Sequence, residues 1–382
     1  MNVYFDNAAT TPIHPQVVDV MYKVMAEEFG NPSSIHAPGR KVRAMVEEAR
    51  RTVAKILNCA PGEIFFTSGG TEADNMAIRK SVDDFSVKNI ITSAIEHHAV
   101  LHTVEELAIA GKIKMHLVNI LPNGHIDLTH LEELLGSNQN VLVSLMHANN
   151  EIGNMLDIEA VGNLCKKYGA LFHTDTVQTI GHFKFDLQKL NINFLACAAH
   201  KFNGPKGVGF IYINNNTKLH PFITGGAQER NMRGGTENVY GIVGLAKALQ
   251  IADENFENEK KHILSLKNYM MQLLEDSIDG ISYNGDAKGV SNYTVLNVCF
   301  PETSVAEMLL YKLDIAGIAA SGGSACSSGS NKGSHVLTAL GVNPKRPSVR
   351  FSFGYQNTKN EVDYVVNVLK EIFEKEKNKL TA

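Results

Sequence analysis

Two ionisable residues 26 positions apart, Asp175 and Lys201, each follow an apolar run, in HTDTVQ (173–178) and AAHKFNGPKG (198–207). A lysine held in a partly apolar cleft can lose its proton and form a Schiff base with an aldehyde. An aspartate at a strand end can hold a protonated ring nitrogen, and Gln178 can donate to a ring oxygen. Alone, Lys201 reads equally as a solvated loop lysine, as Lys206 does, and Asp175 as a helix cap. Asn150, in HANNE (147–151), could serve the same ligand. The turn SGGT (68–71) brings backbone N–H groups, a helix N-terminus and the Thr71 hydroxyl together, a pattern that suits a phosphate. The P-loop pattern GxxxxGK[ST] is absent.

Three more groups could do chemistry. Cys326 lies in SGGSACSSGSNKGS (321–334), where six Ser and four Gly predict a flexible loop and an accessible thiol. Arg350 sits in SVRFSF (348–353), whose alternation puts Val349, Phe351 and Phe353 on one face and Arg350 between two serines on the other. Such an arginine can grip a carboxylate in a bidentate fork or form a surface salt bridge. His97 ends a strand together with His98, and His98 and His102 are four apart. A zinc site is the weaker reading, because no HExxH pattern accompanies them.

The elements that must position these groups alternate. Residues 42–57 carry apolar positions at helical spacing. Strands are expected at 63–67, 90–95, 141–146, 170–174, 194–198 and 208–213, with a helix at 157–168 that Gly169 can end. Short apolar strands between helices imply a mostly parallel sheet covered on both faces, with its ligand at the carboxyl ends of the strands. The charged, helical stretch 255–279 reads as the passage into a second domain, which holds a strand at 293–300 and a last helix opened by the capping box Thr358-x-x-Glu361.

At 382 residues the chain is long enough for two domains. With 36 Lys+Arg against 40 Asp+Glu and a net charge of -4, it has no electrostatic footprint for nucleic acid or an anionic membrane. Five cysteines without a CxxC pair argue against a disulfide framework or zinc ribbon. No signal peptide and no run of 18 apolar residues stand out, so a cytoplasmic location is expected.

Taken together, YFDNAATTP, GNPSSIH, FFTSGGTEADN, EHHAV, HANNEIG, HTDTVQ, HKFNGPKGVGF, RGGTEN, GSACSSG and SVRFSFG, in this order, resemble the NifS/IscS-type cysteine desulfurases of group I. These belong to the class V aminotransferase family of fold-type I pyridoxal-phosphate (PLP) enzymes. The resemblance implies an α/β fold with a large PLP-binding domain (15–255) and a smaller α+β domain (1–14 and 256–382) carrying the cysteine loop. It implies that L-cysteine is converted to L-alanine and a persulfide on Cys326, which is passed to a sulfur acceptor or iron–sulfur scaffold protein. Lys201 would hold PLP, Asp175 its ring nitrogen and Gln178 its ring oxygen. His97 would stack on the ring and move protons at the substrate thiol. Gly70, Thr71 and His200 would bind the phosphate, with Thr236 reaching the phosphate of a partner in a homodimer. Asn150 and Arg350 would orient the substrate. No resident metal is implied, although Cys326 could touch an iron–sulfur cluster in passing. One departure stands out: Ala198 occupies a position where the family usually has a phosphate-binding serine. A selenocysteine lyase or another class V PLP enzyme keeps the fold and changes the reaction. A catalytically idle scaffold would not require these residues.

Overall fold

The computed structural model describes residues 1–322 and 333–381, with side chains described as far as Glu376. The strands in chain order are β1 (Val3–Tyr4), β2 (Ile64–Thr67), β3 (Asn89–Thr92), β4 (Lys114–Leu117), β5 (Val141–Ser144) and β6 (Leu171–Asp175). They continue with β7 (Phe194–Ala198), β8 (Gly209–Ile213), β9 (Ser282–Tyr283), β10 (Val295–Cys299), β11 (Ile318–Ala319) and β12 (Ser348–Ser352). The main sheet has the order β2-β8-β7-β6-β5-β3-β4. Only β8 runs against its neighbours β2 and β7. The strands β2, β5, β7 and β8 are buried at every residue, as a sheet covered on both faces requires.

The helices α1 (Pro15–Glu27), α2 (Ala37–Ile56), α3 (Gly70–Phe85), α4 (His98–Ile109), α5 (Leu128–Ser137) and α6 (Ile158–Tyr168) precede or interleave the strands of this sheet. Their ends follow local chemistry. In α2 the helix starts five residues before the apolar periodicity, because His36 caps Gly39 N–H through Nδ1 and a proline opens the first turn. In α6 Asp157 accepts from Ala160 N–H, and Gly169 closes the helix at φ +66°, a left-handed conformation that costs glycine little.

Two large hydrophobic cores result. One joins the main sheet to α1, α2, α6 and residues up to Ile251. The other joins Val3 and Phe5 to residues 263–369, around the antiparallel strands β9, β10 and β12. The expected passage near residue 255 is not a connection between elements. It is the middle of a single 39-residue helix that follows the short α7 (Gln228–Asn231), namely α8 (Val239–Ser277). Its first half packs in one core and its second half in the other. The chain ends with α9 (Leu309–Ile315), α10 (His335–Ala339) and α11 (Lys359–Thr381). Thr358 and Glu361 make both bonds of the capping box at the start of α11. Among the described residues no helix is long and apolar enough to cross a membrane.

Candidate active site

A cavity of about 210 Å³ opens at the carboxyl ends of β6 and β7. It gathers Gly70, Thr71, His97, Asn150, Asp175, Gln178, His200, Lys201 and Arg350 from segments spread over 281 positions of the sequence (350 − 70 + 1). Each is placed by an element end. Gly70 opens α3, and a Cβ there would stand 2.6 Å from Val177 Cγ2, so only glycine leaves this approach open. Asp175 is the last residue of β6, opposite Ala196, and its Oδ1 accepts from Val177 N–H at 2.8 Å. Lys201 ends a short 3-10 turn after β7. Its Nζ donates to the carbonyls of Ala8 at 2.5 Å and Ala9 at 2.9 Å. The N-terminal segment therefore folds over the lysine, and Thr11 fixes it there through two bonds to the His200 carbonyl. Gln178 Nε2 donates to Ala8 O at 3.0 Å.

His97 caps α4, and its Nδ1 accepts from Ala99 N–H at 3.1 Å. Burial, reinforced by the Lys201 charge, pushes its pKa down to about 4. At neutral pH the ring is therefore neutral, with its proton on Nε2. Burial pushes His200 down to about 4 as well. Asp175 rises to about 6, because burial outweighs the Val177 bond and Lys201, so its carboxylate is still mainly ionised at neutral pH. Asp74, also wholly buried, is raised well above the usual carboxylate range by burial and then by Asp175.

Arg350 departs from the expected polar face. It is 1% exposed in a strand buried on both sides, and its partner is Asp6 from the N-terminal segment. Thr236 is exposed and lies outside the cavity lining. Cys326 lies outside the described residues. His98 and His102, both on α4, stack face to face at 4.5 Å, and His335 approaches His98 at 4.5 Å from α10. Stacked rings do not converge their nitrogens on a cation. Among the described residues, the metal-ligand types that come within 4.8 Å of one another are Asp74, His97 and Asp175, inside the cavity already described.

A scan against family models matches residues 3–365 to the class-V aminotransferases. The chain belongs to that family. The relatives it resembles include the cysteine desulfurase IscS of Dictyoglomus turgidum, 42% identical over 98% of this chain and 95% of the relative. A putative cysteine desulfurase IscS 1 of Bacillus subtilis is 43% identical, covering 97% and 99% of the two chains. Among solved structures, a NifS-like protein superposes with a TM-score of 0.90 at 38% identity, over 98% of this chain and all of the other. The chain thus stands with the NifS/IscS-type enzymes, on the PLP-dependent α/β fold expected of them.

The cavity suits PLP. The glycine at position 70 keeps the helix start clear, and an amine and a carboxylate face the same space. A larger recess of about 700 Å³, lined by Cys59, Glu63, Cys165, Lys166 and Asn214, holds none of the expected site residues. Burial pushes both of its thiols up to about 12.

Sequence reasoning missed Asp74, Ala8, Ala9 and Met146 in the cavity wall. Ala8, Ala9 and Asp74 lie inside the motifs YFDNAATTP and FFTSGGTEADN, and Asp74 left a local signal as well. It stands four residues after Gly70, on the same face of α3.

Proposed function

We propose that this enzyme removes sulfur from L-cysteine, giving L-alanine and a persulfide on Cys326. The observation that carries this reading is the convergence of Lys201, Asp175, His97 and Arg350 on one cavity. Lys201 Nζ would hold the cofactor, and the same amine is placed to take the Cα proton of the substrate. Asp175 would hold negative charge for the ring nitrogen. Gln178 has a second N–H that could serve the ring oxygen. Gly70, Thr71 and His200 would hold the phosphate. When bound, PLP supplies an electron sink for the bond broken at Cα. His97 would pack against the ring, and its Nε2 proton would serve the substrate sulfur. Asn150 and Arg350 orient the carboxylate. Overall, a cysteine thiol of the enzyme and L-cysteine become an enzyme persulfide and L-alanine, so sulfur, protons and electrons balance.

The same proposal includes the division into domains at 15–255 and 1–14 with 256–382, which the two separate cores support. It also includes a homodimer. Val18, Tyr22 and Met25 form an exposed stripe on α1, and Phe29 (89% exposed) and Ile35 extend it. A second copy would cover this stripe and receive Thr236 at its phosphate. The acceptor of the sulfur is a thiol or iron–sulfur scaffold protein, and the reducing chemistry fits the cytoplasm.

The reading is tested with holoenzyme, L-cysteine and a thiol reductant. L-Alanine and sulfide appear in equal amounts. Pyruvate and ammonia as the main products, or no amino-acid product, would overturn it.

Ala198 carries a separate expectation. It ends β7, lines the cavity and offers no hydroxyl where the family usually has one. Ala198→Ser lowers the PLP dissociation constant about tenfold, the worth of one hydrogen bond to a charged group, about 1.5 kcal/mol. The check is dialysis of holoenzyme at graded PLP concentrations, and an unchanged constant refutes the missing-donor account.

A further inference from the structure

We propose that Asp6 is a positioning residue for carboxylate recognition, acting through Arg350. The proposal rests on the reading of Arg350 as the grip on the substrate carboxylate. A guanidinium carries five N–H donors in a rigid fork. Here Nη2 donates to Asp6 Oδ1 at 2.8 Å and Nη1 to the Asn150 carbonyl at 2.8 Å. These two bonds fix the plane of the fork. Nε is buried and has no partner among the described residues, and the side chain lines the cavity. The fork is thus aimed by the protein and left with donors to spend on a ligand.

Asp6 can aim it because Asp6 is itself fixed. Its Oδ1 also accepts from Ser321 Oγ at 2.9 Å. Its backbone bridges Ser352, and Phe5 O accepts from Ser352 N–H at 2.7 Å. Ser321 exchanges backbone bonds with Arg350 in turn, at 2.6 and 3.3 Å. Three chain segments therefore meet at one carboxylate. Without the Asp6 oxygen the fork keeps only its bond to the Asn150 carbonyl, and its plane is no longer fixed. Asp6 thus supplies the direction.

The experiment titrates holoenzyme with L-alanine and with L-alaninamide, which differ in the anionic carboxylate, and follows the visible absorption of the bound cofactor. In Asp6→Ala the L-alanine dissociation constant rises at least tenfold, and that of L-alaninamide stays within twofold. Asp6→Asn, whose Oδ1 still accepts both bonds, weakens L-alanine by no more than threefold. Should Asp6→Ala fail to fold, Ser321→Ala carries the test, since it removes the second tether of Asp6 and no charge. It weakens L-alanine at least threefold and leaves the amide unchanged. Equal losses for both ligands mean a merely structural ion pair and overturn the proposal. A parent enzyme that binds acid and amide equally removes the Arg350 reading, and this proposal with it. A parent that discriminates and an Asp6→Ala variant that discriminates as well leave Arg350 standing and remove Asp6 alone.

Discussion

Lys201→Ala loses at least about three orders of magnitude in kcat for sulfide release from L-cysteine. A positioned general base alone contributes about 10²- to 10⁴-fold, and the same amine is also the covalent anchor. Among the described residues the cavity lining holds no other lysine. Lys206, the next amine along the chain, is exposed and does not line the cavity. Lys206→Ala therefore stays within twofold of the parent. The complementary measurement uses no turnover. Borohydride treatment of the holoenzyme fixes the cofactor on the peptide containing Lys201, as mass mapping reads directly. Label on Lys206, or a Lys201→Ala enzyme within tenfold of the parent, contradicts the role assigned to Lys201. The strength of the expectation comes from how Lys201 is held. Its Nζ lies against the carbonyls of Ala8 and Ala9, between an apolar strand end and the N-terminal segment, with Asp175 in the same cavity.

That arrangement shows which parts of the molecule can be read from sequence and which cannot. Elements with their own local signals were legible. The strand over 194–198, the helix ending at Gly169 and the capping box of Thr358 and Glu361 each depend on neighbours within a few residues. The carboxyl ends of the strands pointed to Asp175 and Lys201, because a parallel sheet leaves its ligand nowhere else to go. Of helix α8 only the stretch from residue 255 onward was legible. Around residues 253–262 it passes between the two cores with most side chains exposed or half-buried, so its apolar stripe fades while its backbone hydrogen bonds continue. For Arg350 alternation gave a polar face and could not tell a ligand grip from a surface salt bridge, because it describes a strand with one wet face, whereas β12 is covered on both. Asp6 and Asp74 depend on contacts across the fold. Asp6 meets Arg350 across 344 positions, and no local pattern encodes such a meeting.

Cys326→Ala binds L-cysteine and still shifts the visible spectrum of the cofactor, yet its sulfide release under reductant falls at least about a hundredfold. Attack on the substrate sulfur needs a thiolate, and the thiolate fraction of a cysteine follows its pKa and its access to solvent. The four other thiols are poorly placed for this. Burial pushes Cys59 and Cys165 up to about 12 and Cys197 well above the usual thiol range. Cys299 is buried in β10. None of the four lines the cofactor cavity. Cys326 lies outside the described residues, so its assignment rests on the Ser/Gly-rich sequence around it and on the unsuitability of the rest. Separating binding from sulfur transfer makes the test specific. Loss of the spectral shift in Cys326→Ala would mean that this thiol holds the substrate rather than receives its sulfur. Sulfide release at the parent rate would move the acceptor to another residue, and Cys59→Ala, expected to stay within twofold of the parent, would then be the first variant to measure, since Cys59 is half-buried where Cys165, Cys197 and Cys299 are buried.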